Sequence, residues 1–80
     1  MTNQARPAIR THRRGLVDIK TGNGRTVILT QVIPIGMKRP DAYEVSVQYA
    51  EDANLNFTET RTTKAAARVT FNTWSYLTRA

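Results

Sequence analysis

Apolar residues recur with a period of two through much of the chain and with a helical period after residue 63,. The clearest alternation runs over residues 43–50. Tyr43, Val45, Val47 and Tyr49 point one way, and Glu44, Ser46 and Gln48 the other. This is the signature of a half-buried antiparallel strand. Upstream, residues 16–21 and 25–33 read as two further strands joined by Gly22-Asn23-Gly24. Asn-Gly accepts the positive φ angles of a type I′ turn, so the pair reads as a hairpin. Pro34 ends the second strand, because proline removes a ladder donor and restricts the residue before it. Residues 34–42, with Gly36 and Pro40, then read as a loop that displays Ile35, Met37, Lys38 and Arg39. After a turn at residues 51–54 the chain returns over residues 55–61, with Leu55 and Phe57 on the buried side.

From Lys64 to Thr78 the spacing becomes that of an amphipathic helix, with Thr62 or Thr63 offering a hydroxyl as N-cap,. At 100° per residue, Ala66, Ala67, Thr70, Phe71, Trp74 and Leu77 share one face,. Lys64, Arg68, Asn72, Ser75 and Arg79 fall on the opposite one. The elements predict an α+β fold in which a small four-stranded antiparallel sheet (β-β-β-β-α) carries a C-terminal amphipathic helix on one face. Residues 1–14, poor in apolar positions and interrupted by Pro7, read as a flexible basic arm, and residues 15–80 as a single domain.

Composition narrows what such a fold can do. Eighty residues support one small core, which in a domain of this size seldom nets more than about 3 to 5 kcal/mol. With no cysteine there is no disulfide, thiolate zinc site or cysteine nucleophile,. Self-association as a homodimer is one remaining aid. No stretch reaches the length of apolar chain that a membrane helix needs, and the first residues carry no apolar segment of secretory type,. A cytoplasmic location and no membrane partner are the expectations.

Charge changes the picture further. The net charge of +6 is unevenly distributed. Residues 1–40 carry eight bases and one acid, residues 41–59 five acids and no base, and residues 60–80 four bases and no acid. A surface so segregated orients an approaching polyanion or acidic protein. Nine of the twelve cations are arginine, whose planar fork matches phosphate and carboxylate,.

Candidates for catalysis are few. His12, the single histidine, lies in the arm and reads as a solvated residue before it reads as a proton shuttle,. Glu51 and Asp52 are neighbours in a turn, where they serve turn chemistry before metal binding,. Gly22-Asn23-Gly24-Arg25 lacks the Lys-Ser/Thr pair and the helix of a phosphate cradle,. The expectation is a binding module that is not an enzyme and carries no metal or cofactor.

The strand-Thr-helix passage Thr58-Glu59-Thr60-Arg61-Thr62-Thr63-Lys64, running into an alanine-containing helix with Trp74, resembles the arm-binding domains of tyrosine recombinases. It is similar also to plant-type three-stranded DNA-reading domains. The likeness spans residues 43–77 and rests on topology. It implies a sheet whose outward face enters the major groove, although Glu44 and Glu59 depart from the basic face those families use.

Taken with the charge pattern, the expected partner is DNA or RNA. Arg6, Arg10, Arg13 and Arg14 of the arm and Lys20 and Arg25 beside the hairpin turn are the expected phosphate contacts, and Lys38 and Arg39 form a second basic pair,. The alternative is a protein-binding module, such as a phage or mobile-element inhibitor of a host nucleoprotein complex of the anti-CRISPR kind. In that case Met37, Tyr76 and the acidic turn Glu51-Asp52 supply anchors and steering,. The outward strand positions Ser46, Gln48, Asn56, Thr58 and Thr60 read as an ordinary solvated face before a base-reading one,.

Overall fold

In the computed structural model, which describes residues 12–79, the hairpin signal at Asn23-Gly24 becomes the first organising feature. Asn23 and Gly24 both hold positive φ, 55° and 76°, as a type I′ turn requires,. The turn joins β1 (His12–Gly22) to β2 (Arg25–Pro34). A loop leads to β3 (Ala42–Tyr49), and a single 3₁₀ turn (Ala53–Leu55) precedes β4 (Phe57–Arg61). The helix α1 (Lys64–Arg79) closes the chain. The strands lie in the order β1-β2-β3-β4, every pair antiparallel, and α1 covers one face. The expected β-β-β-β-α architecture is therefore the observed one.

Register explains which side chains form the core. Val27 pairs with Val47 and Val47 with Phe57, while Leu29 pairs with Val45. These residues point toward the helix, where Ala67 and Phe71 close over them. Val17, Tyr43, Tyr49, Phe57 and Trp74 pack around the edge of the cluster. Phe57 and Trp74 meet edge to face with centroids 5.0 Å apart, the arrangement that aromatic quadrupoles favour.

Three expectations need correction. First, β1 begins at His12, so the boundary drawn between arm and domain at residue 14 falls inside a strand: His12, Arg13 and Arg14 pair with Pro34, Ile33 and Val32. Backbone ladder bonds of β2 supply the partners that the polar sequence there gave no hint of. Residues 1–11, which hold the rest of the expected arm, lie outside the described residues. Secondly, Leu55 is 56% exposed and not on a buried strand face. The Asp52 carboxylate accepts from the Asn54 N–H, and Leu55 and Asn56 N–H groups donate to the Asp52 and Ala53 carbonyls. These bonds wind residues 52–56 into a turn and delay β4 until Phe57. Thirdly, the buried stripe of α1 is rotated toward Arg68. Ala67, Phe71 and Ser75, spaced by four, form its buried line, and Ser75 is only 6% exposed, while Ala66 faces solvent.

An irregularity in the sheet accompanies the rotation. A bulge between Leu16 and Asp18 inserts one extra residue into β1, turning Val17 to the core and Asp18 to the helix,. The Arg68 guanidinium donates to Asp18 Oδ2 at 2.7 Å and stands 5.2 Å from the Phe71 ring centroid. This clamp ties the half-buried Arg68 of the helix to β1. Beyond the bulge, Ile19 pairs with Ile28 on the open face, and Leu16 pairs there with Thr30. The helix N-terminus is capped as expected, by Thr63 Oγ1 accepting from the Ala66 N–H at 3.2 Å,.

The hydrogen bond from Arg68, together with one from the Ile19 N–H, holds the Asp18 carboxyl below the usual carboxylate range,. Because the folded-state pKa is depressed, the stabilisation is present above the unfolded aspartate value of about 3.9 and is lost as pH falls through the lowered folded value. The melting temperature is accordingly expected to fall on acidification below about pH 4, with a shallower fall in Asp18→Asn. Thermal melts followed by circular dichroism between neutral and strongly acid pH measure both slopes. Equal slopes would remove the clamp from the acid response.

Candidate nucleic-acid interface

Antiparallel pairing gives the sheet two chemically different ends. At the loop end lie the start of β1, residues 34–41, the start of β3, the end of β4 and the first turn of α1. At the turn end lie the Asn23-Gly24 turn, the end of β3 and the 3₁₀ turn. The eleven residues of β1 hold the two ends roughly 30 Å apart, at about 3.3 Å per residue.

At the loop end, Pro34 to Met37 form a reverse turn in which the Met37 N–H donates to the Pro34 carbonyl at 3.0 Å. Gly36, at φ 88°, occupies the third position of that turn, where a side chain would be strained,. The turn presents Lys38 and Arg39 to solvent. Arg13 reaches across from β1 and donates to the Met37 carbonyl at 3.4 Å. Lys64, two residues past the connecting Thr62, opens the helix at the same end, with no acid in that first turn. The helix N-terminus there adds its own partial positive charge.

Most of the acids that stood against an anionic partner are engaged. Glu44 accepts a two-pronged contact from Arg14, 3.1 Å to Nε and 3.2 Å to a terminal nitrogen. That contact raises the Arg14 pKa, first through the hydrogen bond and then through charge. Glu59 pairs with Arg61 at 3.0 Å, Asp18 with Arg68 at 2.7 Å, and Asp41 lies 3.7 Å from the His12 Nε2. Glu51 and Asp52 remain without an ion pair among the described residues, and both belong to the turn end.

The expected phosphate contacts are thus divided by the fold. Arg13, Arg14, Lys38 and Arg39 gather at the loop end, with Arg14 committed to Glu44. Lys20 and Arg25 sit at the turn end, where Arg25 lies 5.7 Å from the centroid of the Tyr49 ring. Arg6 and Arg10 fall outside the described residues. Of the expected protein anchors, Met37 joins the basic loop, Glu51 and Asp52 line the turn end, and Tyr76 lies on the outer side of the helix, 69% exposed beside the equally open Val69. Sequence reasoning left Lys64 on the helix's polar face and missed its place beside the loop. The signal was available in the strand count, since an even number of antiparallel strands returns the chain to the end where it started.

The open face of the sheet is a hydroxyl-rich surface. Ser46 and Thr58 share a hydrogen bond of 2.9 Å, and Thr21 and Thr26 one of 3.3 Å. At the turn end a cleft of about 290 Å3 opens between Asn23, Gly24, Arg25, Tyr49, Glu51, Asp52 and Leu55. Among the described residues no three histidine, cysteine or acidic side chains are grouped to hold a metal ion, and no helix is long and apolar enough to cross a membrane. Compared with protein-family models, with curated proteins and with solved structures, the chain matches none, so the functional reading rests on this geometry.

Proposed function

We propose that this chain is a small nucleic-acid-binding accessory protein that grips backbone phosphate at the loop end of its sheet. One observation carries the reading. The Arg13 contact with the Met37 carbonyl joins the basic N-terminal run to the Lys38-Arg39 loop, at the end of the molecule that holds no unengaged acid among the described residues. Cations clustered without carboxylate partners release counterions when they meet phosphate, which favours binding without regard to base sequence. Arg14 acts here as a positioning residue, fastened to Glu44. The binding is of the accessory kind, with no chemical step assigned to the chain.

The test is a salt titration with a random-sequence duplex and a single-stranded RNA of equal length. Three phosphate contacts predict a slope of about −2 to −3 for log K against log salt concentration. Binding that ignores salt, or no binding to either pool at low salt, would dispose of the reading.

The exposed pair Val69 and Tyr76 on the outer side of α1 favours a second reading, a protein-binding module of the inhibitor type. Aromatic residues held open on a rigid helix are common anchors for partners. Capture of cellular partners with and without nuclease separates the two readings: nuclease-resistant capture that is lost in Tyr76→Ala supports the second.

A further inference from the structure

The loop at one end of the sheet and the cleft at the other carry opposite charge, and each exposes apolar side chains. The loop end projects five consecutive exposed residues, 35–39, with Ile35 55% and Met37 57% exposed beside Lys38 and Arg39. The turn end is concave, a cleft of about 290 Å3 with Leu55 and Tyr49 as apolar walls and Glu51 and Asp52 as rim. Among the described residues Arg25 is the single cation lining that cleft, and it is turned onto the Tyr49 ring. Two carboxylates without ion pairs among the described residues therefore outnumber it, and the basic knob at the opposite end likewise has no carboxylate partner among those residues.

From this pairing we infer that the chain associates with a second copy of itself head to tail, the 35–39 loop of one copy seating in the turn-end cleft of the next. Lys38 and Arg39 meet Glu51 and Asp52, while Met37 and Ile35 cover Leu55 and Tyr49. Because knob and cleft lie at opposite ends of a rigid sheet, one molecule cannot satisfy both with itself. The contact is heterologous and leaves a free knob and a free cleft at the ends of every assembly, so growth is open-ended. A single loop in a small cleft makes a weak contact, below the size of a stable interface. Its exposed ion pairs are screened by salt. The inference does not rest on nucleic-acid binding, since it concerns the protein alone.

The experiment is sedimentation equilibrium of the full chain without nucleic acid, at ionic strengths of about 10 mM and about 1 M and protein concentrations up to about 1 mM. At low salt the weight-average mass is expected to rise with concentration above the 9.0 kDa of one chain and to return to it at high salt. Two variants separate head-to-tail contact from any symmetric one. Glu51→Gln with Asp52→Asn disables the cleft while keeping a side-chain oxygen at residue 52 to accept from the Asn54 N–H, and Lys38→Gln with Arg39→Gln disables the knob. Each alone is expected to lose the concentration dependence. Their mixture is expected to regain it but to stop at a one-to-one pair, because only one knob and one cleft remain. Circular dichroism establishes that both variants fold, and the charge reversals Glu51→Lys with Asp52→Lys and Lys38→Glu with Arg39→Glu should polymerise when mixed. A wild-type mass fixed at one chain throughout, or a mixture that stays monomeric, would overturn the inference. Loss of nucleic-acid binding in the knob variant with retention in the cleft variant bears on the proposed function alone.

Discussion

Phe71→Ala is expected to leave most of the chain unfolded at 25 °C. Phe71 is 3% exposed and is the one aromatic ring in the buried cluster, where Val27, Leu29, Val45, Val47 and Ala67 surround it. Truncating such a ring costs about 3 to 5 kcal/mol, through lost transfer energy and the cavity left behind. A domain of this length seldom holds more than about 3 to 5 kcal/mol in total, so the loss equals or exceeds the whole. The same substitution removes the ring over which Arg68 lies, loosening the clamp on Asp18. Urea denaturation followed by the fluorescence of Trp74, which packs on Phe57, reads the result. Val69→Ala, at a largely exposed helix position, should change stability by no more than about 0.5 kcal/mol. A Phe71→Ala protein with a wild-type urea midpoint would show that the helix contributes little to the core.

The second large effect tests the proposal that the loop end of the sheet binds phosphate. Replacing Arg13, Lys38 and Arg39 together by alanine is expected to weaken nucleic-acid binding about 100- to 1000-fold at 0.1 M salt and to flatten the salt slope by about 2 to 3. Each lost contact accounts for close to tenfold at that concentration, since about 0.9 counterion is released per phosphate neutralised. Lys20→Ala with Arg25→Ala removes two cations of the same type from the turn end, where Glu51 and Asp52 already oppose an anion. That double variant should leave the slope within about 0.5 of wild type. Fluorescence anisotropy over a salt series compares the two directly. A steeper loss in the turn-end variant would reverse the assignment of the interface and place phosphate beside Tyr49.

Much of this architecture was legible from local pattern. Tyr43, Val45, Val47 and Tyr49 alternate because their strand has one wet face and one dry one, and Asn23-Gly24 marks its turn because few residue pairs accept two positive φ angles in succession,. The candidate site was legible only in part. Lys38 and Arg39 were visible as an exposed pair, and Arg13 as part of a basic run, but the 3.4 Å contact that unites them joins residues 24 positions apart. Leu55 was misplaced because its hydrophobicity suggested burial, whereas the Asp52 cap bends its backbone out of the strand. Ser75 and Arg68 were misplaced because an angular pattern locates an apolar stripe but cannot register an ion pair contributed by another element.

Local stereochemistry and binary pattern, both carried within a few residues, were enough to determine the order of elements, the hairpin, the capped helix and the fold class. The tertiary structure alone decided where the charges went. Pairing of distant strands placed Arg13 beside Met37, closed Glu44 onto Arg14, and set Lys20 and Arg25 at the far end from Lys38 and Arg39. The bulge at Leu16/Asp18 similarly brought Asp18 to Arg68 of the helix. The physical reason is range: a turn or an alternation is satisfied by neighbours in sequence, whereas an ion pair or a charged surface depends on which residues the fold brings together.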